Sequence, residues 1–144
     1  MPDPLQHRLP DDVGYLLSRT SADVLRDTNS ALQPLGLRAR AFAVLSCAAE
    51  PEAEHTQRQL AHRLGLDPSQ VVALVDDLSA RGLVERRPGE QDRRTRTVVA
   101  TAQGHRLLGE AVCVVAEAQR RYLDVLTAAE TRELRRVLTK LSDR

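Results

Sequence analysis

Five arginines crowd into one short segment of the chain and are its strongest candidates for binding a charged partner. They are Arg86, Arg87, Arg93, Arg94 and Arg96, and only two acidic residues share residues 86–96. Net charge over the whole chain is only +1, so the positive charge is local. This pattern is typical of proteins in which one loop meets phosphate groups. A merely solvated charged loop is the alternative interpretation.

Other residues with reactive side chains are too scattered to suggest a second kind of chemistry. His55 and His62 are seven residues apart, but no tight cluster of ligands accompanies them, and we expect no metal site. We find no nucleophile paired with a base, no phosphate-binding glycine loop and no paired carboxylates, so we expect no enzyme and no cofactor. Cys47 and Cys113 lie in apolar helical stretches, and we expect both to be buried and unreactive.

Composition indicates one mainly helical domain. A chain of 144 residues is long enough to bury a real core. Aromatic residues make up only 2% and Trp is absent, so Leu, Val and Ala must fill that core, which favours helices over a large sheet. No apolar run is long enough to span a membrane and no leader opens the chain, so we expect a cytoplasmic protein without membrane partners.

The first third of the chain is predicted to form an arm and two helices. Three prolines within residues 1–10 indicate a flexible N-terminal arm. Asp11 or Asp12 caps a long helix that continues to about Leu32. A second, apolar helix covers about residues 38–49, and an acidic loop follows it.

The middle of the chain carries the clearest local signals. Thr56 can cap a short helix that Gly65 ends. Asp67 before Pro68 is the order typical of a helix start, and Gly82 closes the helix that begins there. In a helix-turn-helix the second helix enters the major groove of DNA while the first crosses the backbone. This pair of helices has the spacing of such a motif.

A β-hairpin and two helices are predicted to complete the chain. Residues 83–87 and 96–101 read as short strands around the arginine-dense turn. A long helix follows to about residue 125. Thr127 and Glu130 then form a capping box for the last helix.

The helix pair, the hairpin and the start of the next helix together resemble the winged helix-turn-helix core of the MarR family of bacterial transcriptional regulators. The matching elements are QLA in the first helix of the pair, GLVER before the hairpin, DRR at its tip and T-x-x-G after it. The resemblance implies an intertwined homodimer with the order α-α-α-α-β-β-α-α, in one domain over residues 11–144. Residues 56–101 would form the DNA-binding core, and residues 11–55 and 102–144 the dimerisation helices.

The resemblance also implies roles for individual residues. The recognition-helix face would consist of Pro68, Ser69, Gln70, Val72 and Ala73. At the wing tip, Arg94 would enter the minor groove and Asp92 would orient a nearby arginine, with Arg93 and Arg96 beside them. Ala73 and Asp77 depart from the family, which often has a basic residue there; Asp77 would repel phosphate, accept a hydrogen bond from cytosine or pair with an arginine such as Arg81.

Arginines outside the wing are further candidates for phosphate contact. Arg58 and Arg63 lie on the first helix of the helix-turn-helix pair. Arg38 and Arg40 lie at the start of the apolar helix that covers about residues 38–49. For each of them, a surface ion pair is the competing interpretation.

The sequence therefore predicts a dimeric, sequence-specific DNA-binding regulator, a repressor of a pseudo-palindromic operator released by a small aromatic or anionic ligand. Tyr15, Arg19, Phe42 and Ser46 are candidates to line the ligand pocket, although helix core or surface charge explains each of them too. One alternative is a winged-helix protein-interaction module without sequence-specific DNA binding. Another is a variant of the regulator that senses a metal or the oxidation of a thiol.

Overall fold

A computed structural model describes residues 8–144 of the chain, which fold into six α-helices and one β-hairpin. The elements are α1 (Val13–Leu32), α2 (Ala39–Ala48), α3 (Gln57–Leu64), α4 (Pro68–Ala80), β1 (Val84–Pro88), β2 (Arg96–Ala100), α5 (Ala102–Tyr122) and α6 (Ala128–Ser142). This order is the one predicted from the sequence. Most of the predicted N-terminal arm lies outside the described residues, and Leu9–Asp11 at its end form a 3-10 turn.

Helices α1, α3 and α6 start where the sequence places capping side chains. The Asp12 side chain accepts a hydrogen bond from the Tyr15 N–H at 2.7 Å and begins α1. Thr56 begins α3 in a reciprocal capping box with Gln59, and Thr127 begins α6 in the same way with Glu130. These side chains satisfy backbone N–H groups that have no partner within the helix.

The C-terminal end of α3 was predicted from the sequence, and that of α5 was not. Gly65 ends α3 in the left-handed conformation, with a φ of 62°, as its position after the last apolar residue predicted. By contrast, α5 ends at Tyr122, before the predicted end near Val125. The chain turns there because the Leu126 N–H bonds to the Leu123 carbonyl at 2.9 Å.

The hairpin is a regular antiparallel pair with an additional contact that was not predicted. Val84 pairs with Ala100 and Arg86 with Val98 across the two strands. His55, which precedes α3, forms an isolated bridge to Val98, and its carbonyl accepts the Val98 N–H at 2.8 Å. The middle of β2 is therefore fixed to the loop between α2 and α3.

One apolar core lies beneath the helix pair and the hairpin. Its fully buried residues come from α2, α3, α4, both strands and the middle of α5: Val44, Leu45, Leu60, Val71, Val75, Leu78, Val84, Val98 and Ala111. In contrast, α6 buries no residue at all. Within residues 8–144, no helix combines the length and the apolar composition that crossing a bilayer requires.

Candidate nucleic-acid interface

The second helix of the pair, α4, buries one side and exposes the other. Val71, Val75 and Leu78 are fully buried and hold the helix on the core. The exposed side consists of the residues predicted for base contact together with two carboxylates: Pro68, Ser69, Gln70, Val72, Ala73, Asp76 and Asp77. All five predicted recognition residues therefore lie on the solvent-facing side of α4.

The side-chain amide oxygen of Gln70 accepts a hydrogen bond at the start of α4. Gln70 Oε1 accepts the Asp67 backbone N–H at 3.2 Å, in the manner of a capping box. The amide NH₂ of Gln70 remains available to donate outward. The predicted base contact of this side chain is thus limited to donation while the cap is in place.

The loop between the strands is shaped by Gly89 and Asp92. A Cβ atom on Gly89 would lie 2.8 Å from the Asp92 carbonyl oxygen and 2.6 Å from Thr95 Oγ1, so no larger residue fits there. Asp92 Oδ1 accepts the Arg94 backbone N–H at 3.0 Å. Asp92 therefore contacts the neighbouring Arg94 through the Arg94 backbone N–H.

The acidic loop before α3 supports the wing from below. The Glu54 carboxylate accepts the Glu90 backbone N–H at 3.0 Å. Together with the His55–Val98 bridge, this contact fixes the hairpin at its tip and at the middle of β2. Neither contact was predicted from the sequence, because each joins residues far apart in the chain.

The five wing arginines divide into two groups. Arg93, Arg94 and Arg96 are exposed, and no carboxylate of the described residues forms an ion pair with them. Arg87 pairs with Glu85. Arg86 turns inward, with its guanidinium 2.5 Å from Asp76 and 3.0 Å from Gln57.

That Arg86 contacts DNA with the other four stays a prediction, and in this structure Asp76 and Gln57 engage its guanidinium group. Its side chain joins β1 to the N-terminal end of α3 and to the exposed side of α4. Arg86 holds the wing and the recognition helix in one orientation, while three other arginines remain directed to solvent.

The arginine candidates outside the wing also fall into two groups, those without an ion pair and one with an ion pair. Arg38, Arg40 and Arg58 are exposed without an ion pair in the part of the chain that the structure describes. Arg63 instead binds both oxygens of Glu50, at 2.5 and 3.0 Å. The competing interpretation, a surface ion pair, holds for Arg63.

Glu50 is the centre of a small charged cluster next to the wing. His55 Nε2 lies 3.1 Å from Glu50 Oε2, the same oxygen that Arg63 Nη1 contacts, and 3.4 Å from Arg63 Nη1. The hydrogen bond from His55, and then the charge of Arg63, hold the pKa of Glu50 below its usual range. Among residues 8–144, no three His, Cys, Asp or Glu side chains form a group able to hold a metal ion.

Arg81 does not form the predicted pair with Asp77. Its guanidinium donates to the carbonyl oxygens of Gly36 at 2.7 Å and Leu35 at 3.2 Å. These carbonyls lie at the end of the 3-10 turn between α1 and α2, where Gly36 is left-handed. Asp77 stays exposed, and the C-terminal end of α4 is tied to the end of α1.

The four candidate ligand residues do not line a large apolar cavity that the structure contains. That cavity has a volume of about 700 Å³ and lies between α1, α5 and α6, lined by Leu16, Leu17, Val24, Tyr122, Leu134 and Leu138. Tyr15 and Arg19 lie on the same helix but outside it, and Arg19 approaches Asp23 to 3.6 Å. Ser46 Oγ donates to the Phe42 carbonyl at 2.8 Å, within α2.

The two cysteines differ in exposure, contrary to the expectation that both are buried. Cys47 is buried, and burial raises the pKa of its thiol. Cys113 is exposed because α5 turns Ala111 and Val115 to the core, which leaves Cys113 on the opposite side. The residues around Cys113 are apolar, so the sequence did not show that this side of α5 faces away from the core.

Comparison with known proteins gives consistent matches along the chain. The sequence profile of the MarR family matches residues 36–95. The HTH-type transcriptional repressor Rv2887 of Mycobacterium tuberculosis is 33% identical over 135 residues, covering 92% of this chain and 96% of that protein. Its structure with p-aminosalicylic acid has a TM-score of 0.73 and 31% identity, over 90% of this chain and 96% of that one.

A regulator from Rhodococcus jostii RHA1 is also similar in fold and sequence. The crystal structure of this protein, CouR, bound to p-coumaroyl-CoA has a TM-score of 0.88 and 41% identity. The match covers 95% of this chain and 96% of that one. The similarity therefore extends well beyond the helix pair and the wing to the surrounding helices.

Proposed function

Because this chain belongs to the MarR family, we propose that it is a dimeric, sequence-specific transcriptional repressor that a small molecule releases from its operator. The observation that carries the proposal is the pairing of an outward-facing α4 with a wing whose Arg93, Arg94 and Arg96 are exposed and unpaired among the described residues. An outward helix suits the major groove, and arginines on a hairpin suit the adjacent minor groove.

Phosphate contacts are proposed for arginines beside these two elements. Arg58 on α3 and Arg38 at the start of α2 are exposed and have no carboxylate partner in the described chain. Such contacts fix the register of a protein on the duplex without reading its sequence. Neutralised phosphates release counterions, so operator affinity falls steeply as salt rises.

The homodimer is proposed to form through α1, α5 and α6. Large apolar side chains on these helices are exposed in the single chain, among them Leu16, Leu17, Leu134 and Leu138. An exposed apolar surface of this extent marks an interaction site rather than a solvated face. A second copy that inserts its own helices there would bury it, and two-fold symmetry then demands a pseudo-palindromic operator.

The effector is proposed to be a para-substituted aromatic acid or its coenzyme A thioester. The support is chemical: the Rhodococcus relative was crystallised with p-coumaroyl-CoA and the mycobacterial one with p-aminosalicylic acid. Tyr15, Arg19, Phe42 and Ser46 remain candidates to contact it. Whatever its position, the ligand releases DNA only through a higher affinity for the conformation that does not fit the operator.

The decisive experiment is selection of bound duplexes from a random pool, followed by affinity measurements on the recovered operator. Arg94→Ala is expected to weaken operator binding about 10- to 100-fold and to reduce the salt dependence by about one counterion. Arg132→Ala, at an exposed arginine on α6, is the matched control and should bind as the wild type does. Both variants should remain dimers in light scattering.

Two results would contradict the proposal. A protein that selects no sequence, even in dilute salt, is not a sequence-specific regulator. An Arg94→Ala variant with unchanged operator affinity would remove the wing from the interface and favour a protein-interaction module.

A further inference from the structure

Val72 differs from every other exposed large apolar residue in the described chain. It is 40% exposed and lies on α4, whereas the others lie on α1, α5, α6 or the short segments next to them. The helices proposed to form the dimer interface are α1, α5 and α6, and α4 is not among them. Val72 therefore needs a separate explanation, and its neighbour Ala73 is exposed as well.

The charge of α4 limits what this helix can recognise. Its sequence, PSQVVALVDDLSA, contains no arginine, lysine or histidine. The most frequent specific contact with guanine is a pair of hydrogen bonds from arginine or lysine to O6 and N7. Helix α4 has no side chain able to make that contact.

Other polar contacts to base edges are restricted too. A paired contact with adenine needs both the oxygen and the nitrogen of a glutamine amide, but Gln70 Oε1 is held by the Asp67 N–H. Asp76 is bound to Arg86, so its carboxylate is partly neutralised and drawn toward the wing. Asp77 lies one turn beyond Ala73, away from the end of the helix that enters a groove first.

We propose, resting on the function proposed above, that α4 recognises its half-site chiefly through the C5-methyl groups of thymine. Val72 and Ala73 pack against these methyls in the major groove, where thymine alone among the bases presents an apolar group. The core of each half-site is consequently rich in A·T pairs. Affinity comes from the wing arginines, and base preference comes from the two apolar side chains.

The test compares thymine with uracil, which differs from it only by the absence of that methyl. Full-length protein is used to select from two random duplex pools of equal length, one made with thymidine and one with deoxyuridine. The thymidine pool should yield a palindrome with A·T pairs in its half-site cores. Replacing each contacted thymine by uracil in that palindrome should weaken binding about 3- to 5-fold, as loss of one buried methyl implies.

Val72→Ala then tests whether the Val72 side chain contacts the C5-methyl group of thymine. The variant should bind the thymidine operator less tightly and lose the sensitivity to uracil at one position in each half-site. Val125→Ala is the matched control, since Val125 is 88% exposed between α5 and α6, and it should keep the full thymine preference. Circular dichroism and light scattering establish that both variants are folded dimers.

The outcomes separate this inference from the proposed function. Equal affinity for thymine and uracil operators, or full uracil sensitivity in Val72→Ala, would overturn methyl recognition while leaving a sequence-specific repressor. A selected half-site core made of G·C pairs would overturn it as well. Enrichment of no sequence from either pool would overturn the proposed function, and the inference would fall with it.

Discussion

The winged core, formed by α3, α4 and the β1–β2 hairpin, and the outer helices α1 and α6 differ in how much apolar surface a single chain buries. In the winged core, residues such as Leu60, Val75 and Val98 are 0–1% exposed. In α6 no residue is buried, although Leu134 and Leu138 lie one turn apart on the same side. Within α1 only Thr28 and Leu32, near its end, are buried.

This difference indicates that the two regions depend on different interactions for their stability. The winged core is held together by contacts within the chain, including Arg86 with Asp76 and the His55–Val98 bridge. The outer helices leave their apolar sides without a partner in the chain. Burial of that surface in a dimer would make the stability of these helices depend on protein concentration.

A charge on the apolar side of α6 is expected to produce the largest effect. Leu138→Glu should raise the dimer dissociation constant roughly 100-fold or more, because an unpaired charge in an apolar interface costs several kcal/mol. The melting temperature should fall and become strongly dependent on concentration. Sedimentation equilibrium and thermal unfolding at two concentrations measure both effects.

The matched control for that change is Thr139→Glu, which adds the same charge on the opposite side of α6. It should remain a dimer with nearly unchanged stability. If Leu138→Glu behaves like this control, the outer helices are not the dimer interface and the contrast between the two regions has another cause.

A single added methyl group should be destabilising where α5 packs against Leu83, just before β1. A Cβ on Gly104 would lie 2.0 Å from the Leu83 carbonyl oxygen, so the backbone must shift. Gly104→Ala should lower the free energy of unfolding by about 3 kcal/mol, a cost typical of overpacking. Urea unfolding of the purified protein measures this change.

Gly109 provides the comparison on the same helix. A Cβ there would meet no atom within 4 Å, so Gly109→Ala should raise stability by about 0.5–1 kcal/mol through helix propensity. Equal effects at the two positions would show that α5 does not pack against Leu83 as described.

The smallest expected effect concerns the charged cluster that supports the wing. Because the pKa of Glu50 is lowered in the folded chain, its contribution to stability is present at neutral pH and declines as pH falls through the range where free glutamate titrates, about 4. Glu50→Gln should therefore lower the urea midpoint slightly at pH 7 and much less at pH 3. Glu52→Gln, at an exposed neighbour, should show no such difference; a constant difference for Glu50→Gln would contradict the assignment.

Local features of the fold were predictable from sequence because they depend on neighbouring residues. Capping by Thr56 and Thr127 and the turn at Gly65 each require only a few positions along the chain. The resemblance to the MarR family assigned Pro68, Ser69, Gln70, Val72 and Ala73 to the recognition face, and the structure leaves all five exposed. Their contacts with DNA stay a prediction.

Pairing between side chains was the part that local patterns did not determine. Arg86 looked equivalent to Arg94 in the sequence, yet one reaches Asp76 and the other faces solvent. Arg81 was matched with Asp77 on the same helix, whereas it donates to carbonyls at the end of α1. Which arginine is available for DNA depends on distances between elements, and those distances are set by packing.

The sequence by itself determined the succession of helices, the hairpin and the segment in which positive charge is concentrated. These features follow from periodicity, capping and turn residues, whose effects act over a few residues. The tertiary structure alone decided which charges are neutralised by a partner and which apolar sides remain uncovered. Both depend on how separate elements pack together, because an ion pair or a buried face needs atoms from distant parts of the chain at contact distance.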